Sequence, residues 1–329
     1  MTVRRAAVVG CGDVSVVHLQ AIAKLDEVEL VGVCDTDQDR AAAAAERYGV
    51  PRFADHRQLL AAVRPDVVHV CTPHDQHTPV AVDCLDARVA VLVEKPVAHT
   101  VAEADRLIAA ADRHPAVKIG ICLQNRYNAT TRAARDLLAS GELGPVRGGS
   151  ATVLWHRDPA YYQSRPWRGR KSRSGGGVLI NQAIHTLDLM ELLVGDVVRV
   201  RGHAGRHALD DIDVEDTASV LLDHTGGARS VVFATVGNVV DAPVTIEVVT
   251  ERAVLLIRGD LTVSHADGRV ETVAEPVAST GGRAYWGASH ELLIADFYAS
   301  LADPEPFWIG PREGARSLRL IHRLYQRNT

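Results

Sequence analysis

The chain has 329 residues, 47% of them hydrophobic, and a formal net charge of −5 at pH 7. That length suits two domains, and the apolar fraction can fill a core in each. The small, interspersed charge excludes wholesale attraction to nucleic acid or to a membrane surface, so neither is an expected partner.

Five cysteines (Cys11, Cys34, Cys71, Cys84, Cys122) form no C-x-x-C pair and read as small buried hydrophobes in a reducing cytoplasm. The N-terminus enters a strand pattern almost at once. It has no signal-like apolar region, and no run approaches the ~18 apolar residues of a membrane span. A soluble cytoplasmic protein is expected.

In chain order, the first third alternates short valine-rich runs with helical patterns. Ala6–Val9, Val28–Val33, Val67–Val70, Val89–Val93 and Val117–Cys122 are strand-sized and lack polar alternation, as in strands buried on both faces. Helices are predicted over Val14–Leu25, Gln38–Tyr48, His56–Val63, Thr78–Leu85 and Thr100–His114, the last opening with the capping-box spacing Thr100/Glu103. This alternation makes an α/β fold with a doubly wound parallel sheet.

After about residue 123 the pattern changes. A helix (Asn128–Ser140), a strand (Val146–Trp155), a loop rich in Arg, Ser and Gly, and an apolar helix (Val178–Val194) are followed by five strand-like runs. These are Val197–His203, Val214–Leu222, Arg229–Val236, Val244–Val249 and Val254–Ile257. Strands in succession indicate an α+β domain with a large, mostly antiparallel open sheet. Helices over Ser289–Leu301 and Arg312–Tyr325 close the chain. The expected division is 1–123 and 124–329.

Gly10-Cys11-Gly12-Asp13-Val14-Ser15 joins the first strand to the first helix. Gly10 serves the tight turn, and Gly12 lets the backbone approach a pyrophosphate that the helix N-terminus favours. Ser15 replaces the third glycine of the fingerprint. Asp35, about 20 residues on, ends the second strand where an acid accepts hydrogen bonds from a ribose hydroxyl and repels a 2′-phosphate. A nicotinamide dinucleotide is expected here, NAD in preference to NADP. The alternative for Asp35 is a helix N-cap.

Three more segments carry chemistry: Cys71-Thr72-Pro73-His74-Asp75-Gln76-His77, Val93-Glu94-Lys95-Pro96, and Ser174-Gly175-Gly176-Gly177-Val178-Leu179-Ile180-Asn181-Gln182-Ala183-Ile184-His185. With the glycine turn, and with Ser289-His290 and Asp296-Phe297 near the end, they resemble the glucose–fructose oxidoreductase / inositol dehydrogenase / rhizopine catabolism (Gfo/Idh/MocA) family over essentially the whole chain. The resemblance implies a Rossmann domain, an open antiparallel sheet, and an active site in the cleft between them. It also implies dimers or tetramers formed through the sheet face. Thr72, Pro73 and His77 resemble the family's cofactor-edge loop, Glu94 and Lys95 its E-K-P segment, implied to bind the cofactor as well, and Gln124 and Arg126 its segment near the nicotinamide.

Lys95, at the carboxyl end of a parallel strand, is suited to stabilise a developing alkoxide. His185 is the natural general base for a hydroxyl. Asn181, four residues earlier on one predicted helix, would share its face and orient the histidine or a substrate hydroxyl. Asp188 either supports His185 or caps a neighbouring segment. His74 and His77 meet no further ligand set, so no metal is expected. Trp167 and Arg168, in a loop with Arg165, Arg170, Lys171 and Arg173, suit a phosphorylated or nucleotide-linked sugar. A solvated basic loop accounts for them equally well.

The expected activity is hydride transfer between nicotinamide and a secondary alcohol or ketone of a sugar or cyclitol. Its rivals are an NAD-recycling glycosidase or epimerase on the same fold and a non-catalytic dinucleotide sensor.

Overall fold

The computed structural model describes residues 3–276 and 289–326. The valine-rich runs of the first third become β1 (Arg4–Val9), β2 (Val28–Cys34), β4 (Val67–Val70), β5 (Ala90–Glu94) and β6 (Ile119–Cys122), with β3 (Arg52–Phe53) added at one edge. All six pair in parallel in the order β3-β2-β1-β4-β5-β6. Between them run α1 (Ser15–Ile22), α2 (Gln38–Tyr48), α3 (His56–Val63), α4 (His77–Asp86) and α5 (Val101–Arg113). β4 is buried along its whole length, as its lack of alternation requires. Thr100 caps α5 by accepting from the Glu103 amide at 3.2 Å. The strand order reverses between β1 and β4, and in open α/β sheets ligands bind beyond the carboxyl ends of the strands at such a point.

The second sheet has eight strands: β7 (Val146–Leu154), β8 (Val197–Gly205), β9 (Thr217–His224), β10 (Arg229–Thr235), β11 (Thr245–Thr250), β12 (Ala253–Arg258), β13 (Asp260–His265) and β14 (Val270–Val273). Their order is β14-β13-β12-β11-β7-β10-β9-β8, antiparallel except for β10 against β7. Burial alternates along β9, β10 and β11, so one face is packed and the other open. The helices here are α6 (Ala129–Ala139), the short α7 (Pro159–Gln163), α8 (Lys171–Ser174) and α9 (Val178–Asn181), and α10 (Ile184–Val194). α11 (Ser289–Ala299) and α12 (Pro311–Tyr325) follow.

Two compact units result: Met1–Gln124 with Ser289–Ala315, and Asn125–Ala288 with Arg316–Thr329. The units are therefore not contiguous in sequence, as a single boundary after residue 123 had implied. The physical reason lies at the edge strand β6. Its Ile121 amide donates to the Ile309 carbonyl at 2.8 Å. A side chain on Gly120 would strike Phe297 at 2.8 Å and Phe307 at 2.9 Å, so the absent Cβ admits both rings.

All five cysteines are free thiols, four of them buried. Burial pushes the Cys11 and Cys34 thiols up to about 12. Among the described residues no single helix is long and apolar enough to cross a membrane.

Candidate active site

The glycine turn is shaped by its neighbours. Gly10 has φ of +95°, and a Cβ there would lie 2.5 Å from the Cys71 carbonyl carbon and oxygen, where β4 ends. Both the conformation and the close approach require glycine. Gly12 differs: a Cβ would meet nothing within 4 Å among the described residues, so the backbone faces open space at the start of α1. Asp13 and Val14 continue the turn, both half-buried. Ser15 is 2% exposed, and its hydroxyl donates to the Gly12 carbonyl at 2.6 Å. The serine in place of the third glycine thus packs inward and pins the turn.

Asp35 is not a helix cap; Asp37 caps α2. Instead Asp35 Oδ2 accepts from the Cys11 amide at 2.7 Å and Oδ1 from the Asp37 amide at 2.8 Å, which fixes the carboxylate beside the turn. Arg40, the nearest following arginine, pairs with Asp37 at 3.1 Å. The open space over Gly12 and the anchored acid fit a dinucleotide with a free ribose 2′-hydroxyl.

Lys95 is half-buried directly after β5, on the same sheet edge as the turn. The Lys95–Pro96 bond is cis. His77, fully buried at the start of α4, places Nδ1 2.7 Å from the Pro96 carbonyl and Nε2 3.0 Å from the Thr72 carbonyl. It therefore ties the T-P loop, with half-buried Thr72 and Pro73, to the segment carrying Lys95. Burial pulls the His77 pKa down, against two carbonyls that favour the imidazolium. His74 is buried beside it, the ring centroids 5.6 Å apart. The Glu94 carboxylate turns inward to His18 and His290 instead of lining the turn.

In the second unit the glycines are set by packing. A Cβ on Gly177 would overlap the Glu215 carbonyl, and one on Gly176 would overlap the Tyr325 hydroxyl. Glu215, 8% exposed, accepts from the Gly177 amide at 2.8 Å, the Leu179 amide at 3.0 Å and the Tyr325 hydroxyl at 2.6 Å. It clamps the entrance of α9. Nothing local in the sequence pointed to Glu215; its partners lie 36 to 110 residues away.

The single helix expected over Val178–Val194 is broken. The Gln182 and Ala183 amides both donate to the Val178 carbonyl, a π-type turn that inserts one residue. The run ending at Asn181 and the helix from Ile184 consequently meet at 52°. Asn181 ends α9 and His185 stands in the first turn of α10, so the i, i+4 geometry of one continuous helix does not apply to the pair. Both oxygens of Asp188 bind Arg126, at 2.6 and 2.8 Å, in a pair whose members are 1% and 4% exposed. Arg126 is buried in the second unit. Gln124 is buried in the first.

Trp167 and Arg168 occupy a short turn, with the Arg168 guanidinium 4.3 Å from the Tyr161 ring centroid and 5.8 Å from that of Trp167. Arg157 stacks on Trp155 and Tyr161. This aromatic–guanidinium stack was legible only as a composition bias.

Comparison with known proteins settles the family. A family model described as "Oxidoreductase family, NAD-binding Rossmann fold" matches residues 4–120, and the "GFO/IDH/MocA C-terminal domain" matches 131–256. The chain belongs to the Gfo/Idh/MocA family. Its first unit is an NAD-binding Rossmann fold. The chain is 31% identical to D-apiose dehydrogenase of Paraburkholderia graminis over 70% of its own length and 60% of that protein. It is 33% identical to D-glucoside 3-dehydrogenase of Escherichia coli over 58% of its length and 54% of that protein. It therefore spans less than two thirds of each of these relatives. Among solved structures, the WlbA dehydrogenase of Bordetella pertussis, in complex with NADH and UDP-GlcNAcA, superposes with a TM-score of 0.85 at 28% identity. That match covers 99% of this chain and 96% of the other.

Proposed function

We propose that this protein is an NAD-dependent dehydrogenase acting on a secondary alcohol, or its ketone, in a sugar, sugar derivative or cyclitol. The observation that carries this reading is the shared sheet edge in the first unit. The glycine turn and Asp35 stand beyond β1 and β2, and Lys95 stands beyond β5. Gly10, Gly12, Asp13, Val14, Ser15 and Asp35 would hold the dinucleotide, with Thr72, Pro73 and Gln124 nearer the nicotinamide. When bound, nicotinamide supplies the hydride acceptor or donor.

The chain's own residues do the rest. Lys95 stabilises the substrate oxygen as it loses its proton, through a fixed positive charge. His185 takes that proton in oxidation and returns it in reduction. Asn181 holds a neighbouring hydroxyl and, having no acidic proton, adds orientation without charge. Residues 1–124 with 289–315 would carry the cofactor, and 125–288 with 316–329 the substrate and the oligomer contact. A homodimer or homotetramer through the open sheet face is supported by the exposed Leu221, Val231 and Phe233 on β9 and β10.

Substrate class is supported by the names of the relatives, which act on apiose, glucosides and inositol, and by the UDP-sugar acid in the WlbA complex. Arg168 with Tyr161 and Trp167 suits such an anionic, ring-bearing substrate. A panel of sugars, inositols and sugar nucleotides with NAD and NADP, read by the absorbance of reduced nicotinamide, tests this. Turnover with NAD on one sugar class is expected. Steady turnover without added cofactor would replace the reading with a recycling enzyme, and NAD binding without turnover on any member would replace it with a sensor.

A further inference from the structure

Five polar side chains lie in one buried line inside the first unit, behind Lys95. The Tyr298 hydroxyl is 2.9 Å from His69 Nε2. His69 Nδ1 is 2.8 Å from His18 Nδ1, and His18 Nε2 is 3.0 Å from Glu94 Oε1. His290 Nε2 meets the same Oε1 at 3.3 Å. The other carboxylate oxygen, Oε2, accepts from the Lys95 backbone amide at 3.2 Å. None of the five is more than 6% exposed.

The partners force a direction on this line. An ionised Glu94 only accepts, so His18 and His290 donate from Nε2. Burial lowers the pKa of both His18 and His69, which keeps those two rings neutral with one N–H each. His18 Nδ1 is then an acceptor and receives Nδ1–H from His69. The His69 Nε2 in turn receives the Tyr298 hydroxyl proton. Every ring nitrogen in the line from Tyr298 to Glu94 is satisfied, and each tautomer is set by the next. Tyr298, the far end, is itself buried, so among the described residues the line holds position rather than moving protons.

We propose that Glu94 is the positioning residue of Lys95, anchored by the one-way line Tyr298→His69→His18 and by His290, and gripping the Lys95 amide with its other oxygen. The Pro96 carbonyl on the other side is held by His77, so the backbone around Lys95 is fixed from both ends. The inference rests on the reading of Lys95 as the group at the substrate oxygen. His18, Glu94 and His290 also offer three donor atoms within 4.8 Å of one another, a spacing that would suit a metal. Ligation there would need His18 Nε2 stripped of its proton and the whole line reversed, so the network is a closed hydrogen-bonded one.

Glu94→Gln tests the proposal, because its amide must set an N–H against either the Lys95 amide or the histidines. We expect kcat to fall roughly 10- to 100-fold, with the KM for NAD little changed. In a Lys95→Met background the same substitution should add nothing further. Two readouts do not depend on turnover. Hydrogen exchange at the Lys95 amide should quicken in Glu94→Gln. Nitrogen-labelled histidine in the wild-type protein should show neutral rings protonated on Nε2 at His18 and on Nδ1 at His69, unchanged by an equivalent of zinc. Additive losses with Lys95→Met, unchanged exchange at Lys95, the opposite tautomers, or stoichiometric zinc at the site would each overturn it. Normal turnover in Lys95→Met would instead overturn the catalytic reading, and the exchange and tautomer results would still decide the positioning claim.

Discussion

Two buried glutamates, Glu94 in the first unit and Glu191 in the second, are exposed by 4% and 7% and ionise in opposite directions. Burial raises the pKa of Glu94, but hydrogen bonds from His18 and His290 outweigh it and hold the carboxyl well below the usual range. At Glu191 burial prevails and lifts the pKa to about 7. Its Oε2 has no hydrogen-bond partner among the described residues, and Arg316 approaches Oε1 only to 3.7 Å. Between these two, the imidazoles aimed at Glu94 decide the direction that depth alone does not.

The comparison breaks most visibly at Glu94. Glu94→Leu strips the acceptor from two imidazoles and the Lys95 amide. It should cost about 3–5 kcal/mol in denaturant unfolding, since buried donors left unmade are expensive. The matching Glu191→Leu change should be neutral or stabilising above neutral pH.

A smaller effect separates the two by pH. The folded pKa of Glu94 is depressed, so its contribution is present above the unfolded value of about 4.5 and is lost as pH falls below it. Glu191, raised, contributes in the other sense. Its stabilisation is complete below about 4.5 and is lost as pH rises to about 7, by about 3 kcal/mol. Unfolding free energies of wild type and Glu191→Gln, compared across that window, should diverge, the wild type falling relative to the variant. Parallel curves would contradict the Glu191 assignment.

The smallest expected effect sharpens the contrast within the second unit. Tyr325→Phe removes one of three donors to Glu215, whose pKa burial already raises. A loss of about 1 kcal/mol is expected, read by the same unfolding assay.

The sequence made the first sheet legible because its strands carry a local signal: continuous valine runs bounded by Gly, Asp and Pro. It made Gly10, Asp35 and Lys95 legible for the same reason, each being placed by the end of a strand. The two-residue β3 and the terminal β13 and β14 carry no comparable pattern and were missed. The break in Val178–Val194 was hidden because a π-type turn leaves the apolar pattern intact. The Glu94 line was out of reach for another reason: its contacts join residues 51 to 229 positions apart. The one local hint was His69, a histidine inside the run Val67-Val68-His69-Val70, where a polar ring must find buried partners.

The central proposal is that Lys95, beyond the carboxyl end of β5, acts on the substrate oxygen. Turnover of Lys95→Met at saturating NAD, with NAD affinity measured on the same protein by titration, tests it most directly. A fall in kcat of about 10²–10³-fold with affinity nearly kept is the predicted result. Near-normal turnover, or loss of NAD binding equal to the loss of rate, would contradict it.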